Sequence, residues 1–455
     1  MPNQQHSFGQ PDRRTDADRL ADLRRVQRQV RSITATRDDS AYEDRLISDI
    51  QQRRVGRSDR IQFEQIPDKY GGSTLAAAAR EQLLVRAEDD ERVRPLLEGP
   101  RYSLTRQAVP GLDSRVIAYS SSEASPVMLA ELASSLRKQG VSVSSNYMTP
   151  LGGRVKSVAS PENTAGAKPE FHGAAATESQ ESPVRVVIID TGVYGRGRTD
   201  GWLRDLEADH NGEVLDDSPP GGDGFLDPAA GHGTFCAGIV QQIVPAADIK
   251  VYNAVDSDGF VDELKVAVEL VQWVRKGFED GKELIVNLSF GAETADDERP
   301  VALGVALEII DEESRKSGHE ALVVAAAGNF GHARECYPAA FPTVTAVAAL
   351  TQDLSPAEWS SRGAWVDVCT IGEGVRSTFV PGIESPVTDP RREEFPENAW
   401  ALWSGTSFAA PQVAGAIAKI ATDDGVTPTE AKRRLLEGAR EVPLYGKQVE
   451  ILPRI

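Results

Sequence analysis

Between Asp16 and Ile33, apolar residues recur at three- and four-residue steps (Leu20, Leu23, Val26, Val30, Ile33), which predicts an amphipathic helix. Its many arginines read as the solvated face of that helix, with docking to a partner as the alternative. A second helix is expected from about Thr74 to Arg94, a stretch dense in Ala, Leu, Arg and Glu, with Pro95 as its stop. From Ser114 the pattern changes. RVIAYS reads as a strand, SPVMLAELASSLRKQG as a helix ending at Gly140, and VSVSSNYM as a second, alternating strand. Residues 152–182 have no apolar periodicity and are rich in Gly, Ala, Ser and Pro, the composition of a flexible, easily cut linker. Beyond it, Val186 to Ile189 form an unbroken apolar run, as in a strand buried on both faces. The expected organisation is therefore a mostly helical region over 1–110, a small α/β module over 111–151, a linker over 152–182 and a large domain over 183–455.

Charge sharpens that division. The 455 residues carry a formal net charge of −19. Counted separately, residues 1–182 have a net of +1 and residues 183–455 a net of −20, which sum to that value. An acidic chain of this kind disfavours nucleic acid and anionic membrane as partners, since both demand a basic face. No run approaches the roughly 20 apolar residues of a membrane span. The first residues lack the apolar core of a secretory signal, so a cytoplasmic address is expected. Three cysteines are too few for a disulfide framework and show no metal-ligand spacing.

The acidic half holds the chemistry. The buried strand ends in Asp190-Thr191-Gly192, a carboxylate at a carboxyl end, where a turn-capping Asp is the plain alternative. In GHGTFCAG, His232 stands between two glycines, which suggests backbone approached closely by something else. In ALVVAAAGNFG, an apolar strand runs into Gly328-Asn329; that asparagine either closes a turn or offers an N–H donor to a developing negative charge. In WSGTSFAAP, Ser407 sits at the mouth of a small-residue helix, near its positive dipole end, where an N-cap serine is the alternative. The order Asp190, His232, Asn329, Ser407 is far more specific than any of the four.

With the blocks IIDTG, GHGTFCAG, NLSFG, AAAGN and SGTSFAAP, residues 183–442 resemble the subtilisin-like serine peptidases, the subtilases; the resemblance does not reach residues 1–182. It implies an α/β fold, a doubly wound parallel sheet with helices on both faces and the site at the carboxyl ends of the strands. It implies a serine endopeptidase in which Ser407 is nucleophile, His232 general base, Asp190 the group that orients the imidazole, and Asn329 an oxyanion donor. Leu288, Ser289, Phe290 and Gly291 would pair with an extended peptide or protein substrate as an added strand. Ala325, Ala326, Ala327 and Gly328 would form a wall of the primary pocket. A catalytically silent binding protein on the same fold is the rival reading.

Departures from the family pattern set further expectations. Phe408 follows the serine where methionine is common, changing the packing behind it. The loop that binds structural calcium in many relatives is missing, and the acidic segment Asp216–Asp227 reads as a solvated loop, so neither metal nor cofactor is expected. Cys236 reads as inert packing. Glu293, Asp296, Asp297 and Glu335 suggest an acidic rim with a taste for basic residues. Residues 379–400, with four prolines, read as a surface excursion near the site. The front region is expected to be either a pro-segment cut within 152–182 or a retained domain that docks a regulatory partner.

Overall fold

A computed structural model of the chain describes residues 8–9, 12–37, 40–66, 76–151, 160–171, 182–195, 197–204, 206, 212–217, 219–386 and 392–455. The expected first helix is α1 (Asp16–Arg37), followed by α2 (Ser40–Arg54). Its polar face is not simply solvated: Asp22 and Gln29 are buried with Val26 and Ile33.

The front region holds more strand than its composition predicts. It runs β1 (Phe63–Ile66), β2 (Ala76–Arg86), α3 (Ala87–Leu97), β3 (Thr105–Ala108), β4 (Val116–Ser120), α4 (Pro126–Arg137) and β5 (Val143–Pro150). The single helix expected over 74–94 is thus a strand followed by a helix, and Pro95 lies inside the last turn of α3 instead of stopping it. Alanine-rich β2 is a strand because it is central, paired antiparallel with β1, β4 and β5. Neighbours on both edges override local helix preference there. Leu83 and Val85 face α3 and α4 on one side, while Leu84 faces the opposite cluster. The α/β module therefore begins near Phe63, not at residue 111.

The stretch expected to be linker also contributes a strand, β6 (Glu162–Asn163). Next come β7 (Val184–Asp190), α5 (His232–Ile243), β8 (Asp248–Asn253), β9 (Phe260–Asp262), α6 (Glu263–Glu279), β10 (Glu283–Leu288), α7 (Val301–Ser317), β11 (Ala321–Ala326), β12 (Thr345–Leu350), β13 (Val368–Ile371) and β14 (Val375–Thr378). The excursion at 379–400 includes a short antiparallel pair, β15 (Gly382–Ile383) and β16 (Glu394–Phe395). The chain closes with β17 (Trp400–Trp403), α8 (Thr406–Asp424), α9 (Pro428–Leu436), β18 (Arg440–Val442) and β19 (Gly446–Gln448).

The main sheet has the order β18-β19-β13-β12-β11-β10-β7-β8 and is parallel except for β18. Alternation along β7 explains the two layers of helices. Val186 and Ile188 pack with α5 and α8, while Val187 and Ile189 pack with α6 and α7. This is the doubly wound parallel architecture expected from the motifs. The front sheet, of order β3-β4-β2-β5-β9 with β1 beside β2, borrows β9 from the large domain. Among the described residues, no helix is long and apolar enough to cross a membrane.

Candidate active site

Asp190 is the last residue of β7 and His232 the first of α5, so the parallel strand order delivers the carboxylate to the mouth of the next helix. Glycine makes that junction possible. A Cβ on Gly233 would lie 2.1 Å from the carbonyl oxygen of Gly192, so only glycine allows α5 to start against the turn after β7. His232 Nδ1 lies 2.8 Å and 3.0 Å from the two Asp190 oxygens, and both residues are buried. Behind the imidazole stand Trp403 and Phe408, with ring centroids 5.5 Å and 5.3 Å away. Phe408 thus fills the space behind both serine and histidine, the changed packing expected there.

Ser407 is the second residue of α8 and also buried. Its Oγ donates to the Ser289 carbonyl at 2.9 Å, and Ser289 Oγ donates back to the Ser407 carbonyl at 2.8 Å. Cys236 joins the serine and histidine: its Sγ lies 3.9 Å from His232 Nδ1 and 3.6 Å from the Ser407 carbonyl oxygen. Burial and the Asp190 charge push that thiol well above its usual range, so it is a protonated packing group. Among the described residues, Asp190, His232 and Cys236 are the one trio whose ligand atoms could meet at a metal ion. They do not suit one, because Asp190 already engages the imidazole and the thiol holds its proton.

Asn329 lies just past β11. Its Oδ1 accepts both the backbone N–H and the hydroxyl of Thr406, each at 2.9 Å. Those two donors fix the orientation of the amide, since an oxygen that accepts both cannot be exchanged with the NH2 group. Asp190 and His232 are thus paired, Cys236 lies against both the imidazole and the Ser407 backbone, and Asn329 is bonded to the residue before Ser407.

The segment expected to pair with substrate is already paired. Phe290 forms an antiparallel bridge with Leu151, Gly291 N–H donates to the Pro150 carbonyl at 3.2 Å, and Leu151 N–H donates to the Gly259 carbonyl at 3.0 Å. On its other edge β5 pairs with β9, from Met148 opposite Asp262 to Pro150 opposite Phe260. The chain's own residues 148–151 thus lie as a strand between the two edges. Of the remaining residues expected to touch substrate, Leu288 and Ala325 belong to the cluster under α6 and α7, and Ala326 to the opposite one. Ala327 is buried in a third cluster with Cys369, and Gly291 and Gly328 both lie against Cys336.

The acidic rim is largely self-satisfied. Glu293 is buried and faces His332 Nδ1 at 3.0 Å, Glu335 accepts from the Tyr337 hydroxyl, and Asp297 pairs with Arg334. The Asp216–Asp227 loop is likewise closed on itself. Asp216 accepts the N–H groups of Asp223 and Gly224, Asp227 that of Asp217, and the Asp217 carboxylate is held by Arg57 and Arg60.

Glu213 is the site residue that sequence reasoning missed. It accepts from the Thr191 hydroxyl at 2.5 Å and from Gly231 N–H at 2.7 Å, and it bonds the Thr234 hydroxyl. It thereby braces both sides of the Asp190–His232 junction. Burial, then the charge of Asp190, pushes its carboxyl up to about 7, against the pull of the two threonine hydroxyls. Nothing in the acidic, glycine-rich stretch around it marks it out.

Comparison with known proteins gives the family. A family model described as the subtilase family matches residues 181–450. The chain is 26% identical over 260 residues to thermitase of Thermoactinomyces vulgaris, covering 54% of this chain and 77% of that protein. It is 27% identical over 253 residues to subtilisin E of Bacillus subtilis (strain 168), covering 52% of this chain and 55% of that protein. In fold it is similar to fervidolysin from Fervidobacterium pennivorans, described as a keratinolytic enzyme related to subtilisin. That likeness has a TM-score of 0.52 at 19% identity and covers 82% of this chain and 60% of that one.

Proposed function

Because this chain belongs to the subtilase family, we propose that it is a serine endopeptidase cutting peptide or protein substrates through an acyl-enzyme, with Ser407 as nucleophile. The observation that carries the reading is the buried Asp190–His232 pair beside a serine at the start of α8. The Ser407 hydroxyl rotates from the Ser289 carbonyl to His232 Nε2, which takes its proton as Oγ attacks the scissile carbonyl carbon. Asp190 keeps the other ring nitrogen protonated and stabilises the imidazolium. Asn329 Nδ2 and the Ser407 N–H hold the oxyanion. His232 then gives its proton to the leaving amine, and water repeats the sequence to free the acid. The silent-binder reading has no such observation in its favour.

The front module acts on this site in cis. Residues 148–151 fill the substrate edge, so the intact chain is held inactive until it is cut within 152–182. A retained docking domain is the alternative. We also place the enzyme in the cytoplasm, a reducing compartment that suits its three free, buried cysteines, Cys236, Cys336 and Cys369.

Expression of the full chain beside a Ser407→Ala copy tests both parts. The intact serine is expected to react with a fluorophosphonate probe and to yield a shorter product, while the variant does neither and stays folded. Undiminished proteolysis by the variant defeats the catalytic assignment. An uncut but active chain defeats the pro-segment reading and leaves the catalytic one standing.

A further inference from the structure

The residue that donates the scissile carbonyl can be located by register. Leu151 is bridged antiparallel to Phe290, so one step further along such a strand faces Ser289. The carbonyl of Ser289 is the group that holds the Ser407 hydroxyl at 2.9 Å. A substrate laid in the same register therefore presents to Ser407 the residue that follows the Leu151 position. Successive side chains of a strand point to opposite faces. Leu151 is buried against the cluster under α6 and α7, so the side chain of the next residue points the other way, towards Gly291 and Gly328.

That space is occupied. A Cβ placed on Gly291 would lie 2.7 Å from Cys336 Sγ, and one on Gly328 would lie 3.1 Å from the same sulfur and 3.1 Å from the Phe330 ring. Cys336 is fully buried and Phe330 nearly so. Neither has an easy way out. The backbone just beyond Cys336 is pinned by two hydrogen bonds between Ala292 and Tyr337, at 2.8 Å and 2.9 Å, and the Cys336 carbonyl accepts from Ala340 N–H at 2.8 Å. Phe330 N–H is held by the Ser361 hydroxyl at 3.2 Å, and its ring stacks on His332.

We propose that Cys336, backed by Phe330, plugs the pocket beside Ser407 and restricts this enzyme to substrates with glycine as the residue that forms the acyl-enzyme. The inference rests on the catalytic reading above and names the substrate class of that site. A hydrogen at this position meets no obstacle, whereas a β-carbon meets the sulfur. The chain's own sequence agrees: the residue after Leu151 is Gly152, which lies outside the described residues. The recognised class is thus a peptide with leucine followed by glycine, and the acidic residues nearby play no part in choosing it.

The test uses the full chain and peptides of the form Thr-Pro-Leu-X, extended on the carboxyl side, with X as Gly, Ala, Val or Phe. The Gly peptide is expected to be cut faster than the Ala peptide by roughly 10- to 200-fold, the usual span for one misplaced methylene-sized group. Cys336→Gly is expected to raise kcat/KM for the Ala peptide about 10-fold or more relative to the Gly peptide. Cys336→Ser, which keeps the bulk, is expected to retain the glycine preference and to show that the variants still fold. Equal turnover of the Gly and Phe peptides overturns the proposal, as does a preference that Cys336→Gly leaves untouched. An enzyme that takes up a fluorophosphonate label yet cuts none of the peptides also overturns it, with the catalytic reading intact. Absence of labelling removes the catalytic reading and this inference together.

Discussion

The front of the chain is attached to the large domain in two chemically different ways. Helices α1 and α2 are held by a neutral amide, by apolar contacts and by a buried arginine. Gln29 Nε2 donates to the Leu402 and Ser160 carbonyls at 2.8 Å and 2.9 Å, and its Oε1 accepts from the Ser404 hydroxyl. Val26 packs so closely on Gly374 that a Cβ there would lie 2.4 Å away. Ile33 joins the same core cluster as Val186. Arg54, wholly buried, grips both Asp258 oxygens at 2.6 Å and also reaches Asp256. Strand β5 is instead held by carboxylates. Ser144 bonds Glu263, Ser145 N–H donates to Glu298, and Asn146 bonds Asp262. Burial pushes Glu263 well above the usual carboxylate range and Glu298 up to about 7, the latter against the opposing charge of Arg137. One stretch of chain therefore carries a fixed brace and a docked strand whose grip depends on pH.

Breaking the brace is expected to have the largest effect. Arg54→Leu leaves Asp258 buried without its partner and is expected to cost about 3–5 kcal/mol, read from urea unfolding of the Ser407→Ala protein. A loss below about 1 kcal/mol would mean that α2 merely rests on the β8–β9 turn. Gln29→Ala, which leaves the Leu402 carbonyl and the Ser404 hydroxyl without a partner, is expected to cost about 1–3 kcal/mol in the same assay. The Gln29→Ala loss is expected to be independent of pH, because neither that amide nor its partners ionise.

The docked strand supplies the contrasting, smaller effect. Since the carboxyl of Glu298 is raised in the docked state, its protonated form is favoured there. Docking is then strongest below about pH 4.5, weakens as pH rises to about 7 and is flat above. One proton over that window corresponds to a change of at most about 3 kcal/mol. Hydrogen exchange at the β5 amides, corrected for intrinsic rates, is expected to show it in the Ser407→Ala protein and to lose it in Glu298→Gln. Parallel profiles in the two proteins would remove the distinction between brace and docked strand.

The local amino-acid pattern was enough for α1, for β7 with Asp190 at its end, for His232 and Ser407 at the starts of their helices and for Asn329 just past its strand. Each of those signals is carried by neighbouring residues: a helical stripe, an unbroken apolar run, glycines where backbone must approach backbone. The helix expected at Ala76–Arg86 failed because alanine, leucine and arginine favour a helix only until three strands compete for the same backbone. Within the expected linker, Glu162–Asn163 is held as a strand by β17, more than two hundred residues away, a pairing that no local pattern announces.

By itself, then, the sequence determined the family and the fold, and which residues stand at the ends of its strands, because periodicity and turn chemistry are local properties of a chain. Only the tertiary structure decided what lies in the substrate edge, which carboxylates hold it there, and that Cys336 fills the space between Gly291 and Gly328. Those outcomes depend on contacts between segments far apart in sequence. Their energies come from burial and pairing, which no single segment encodes.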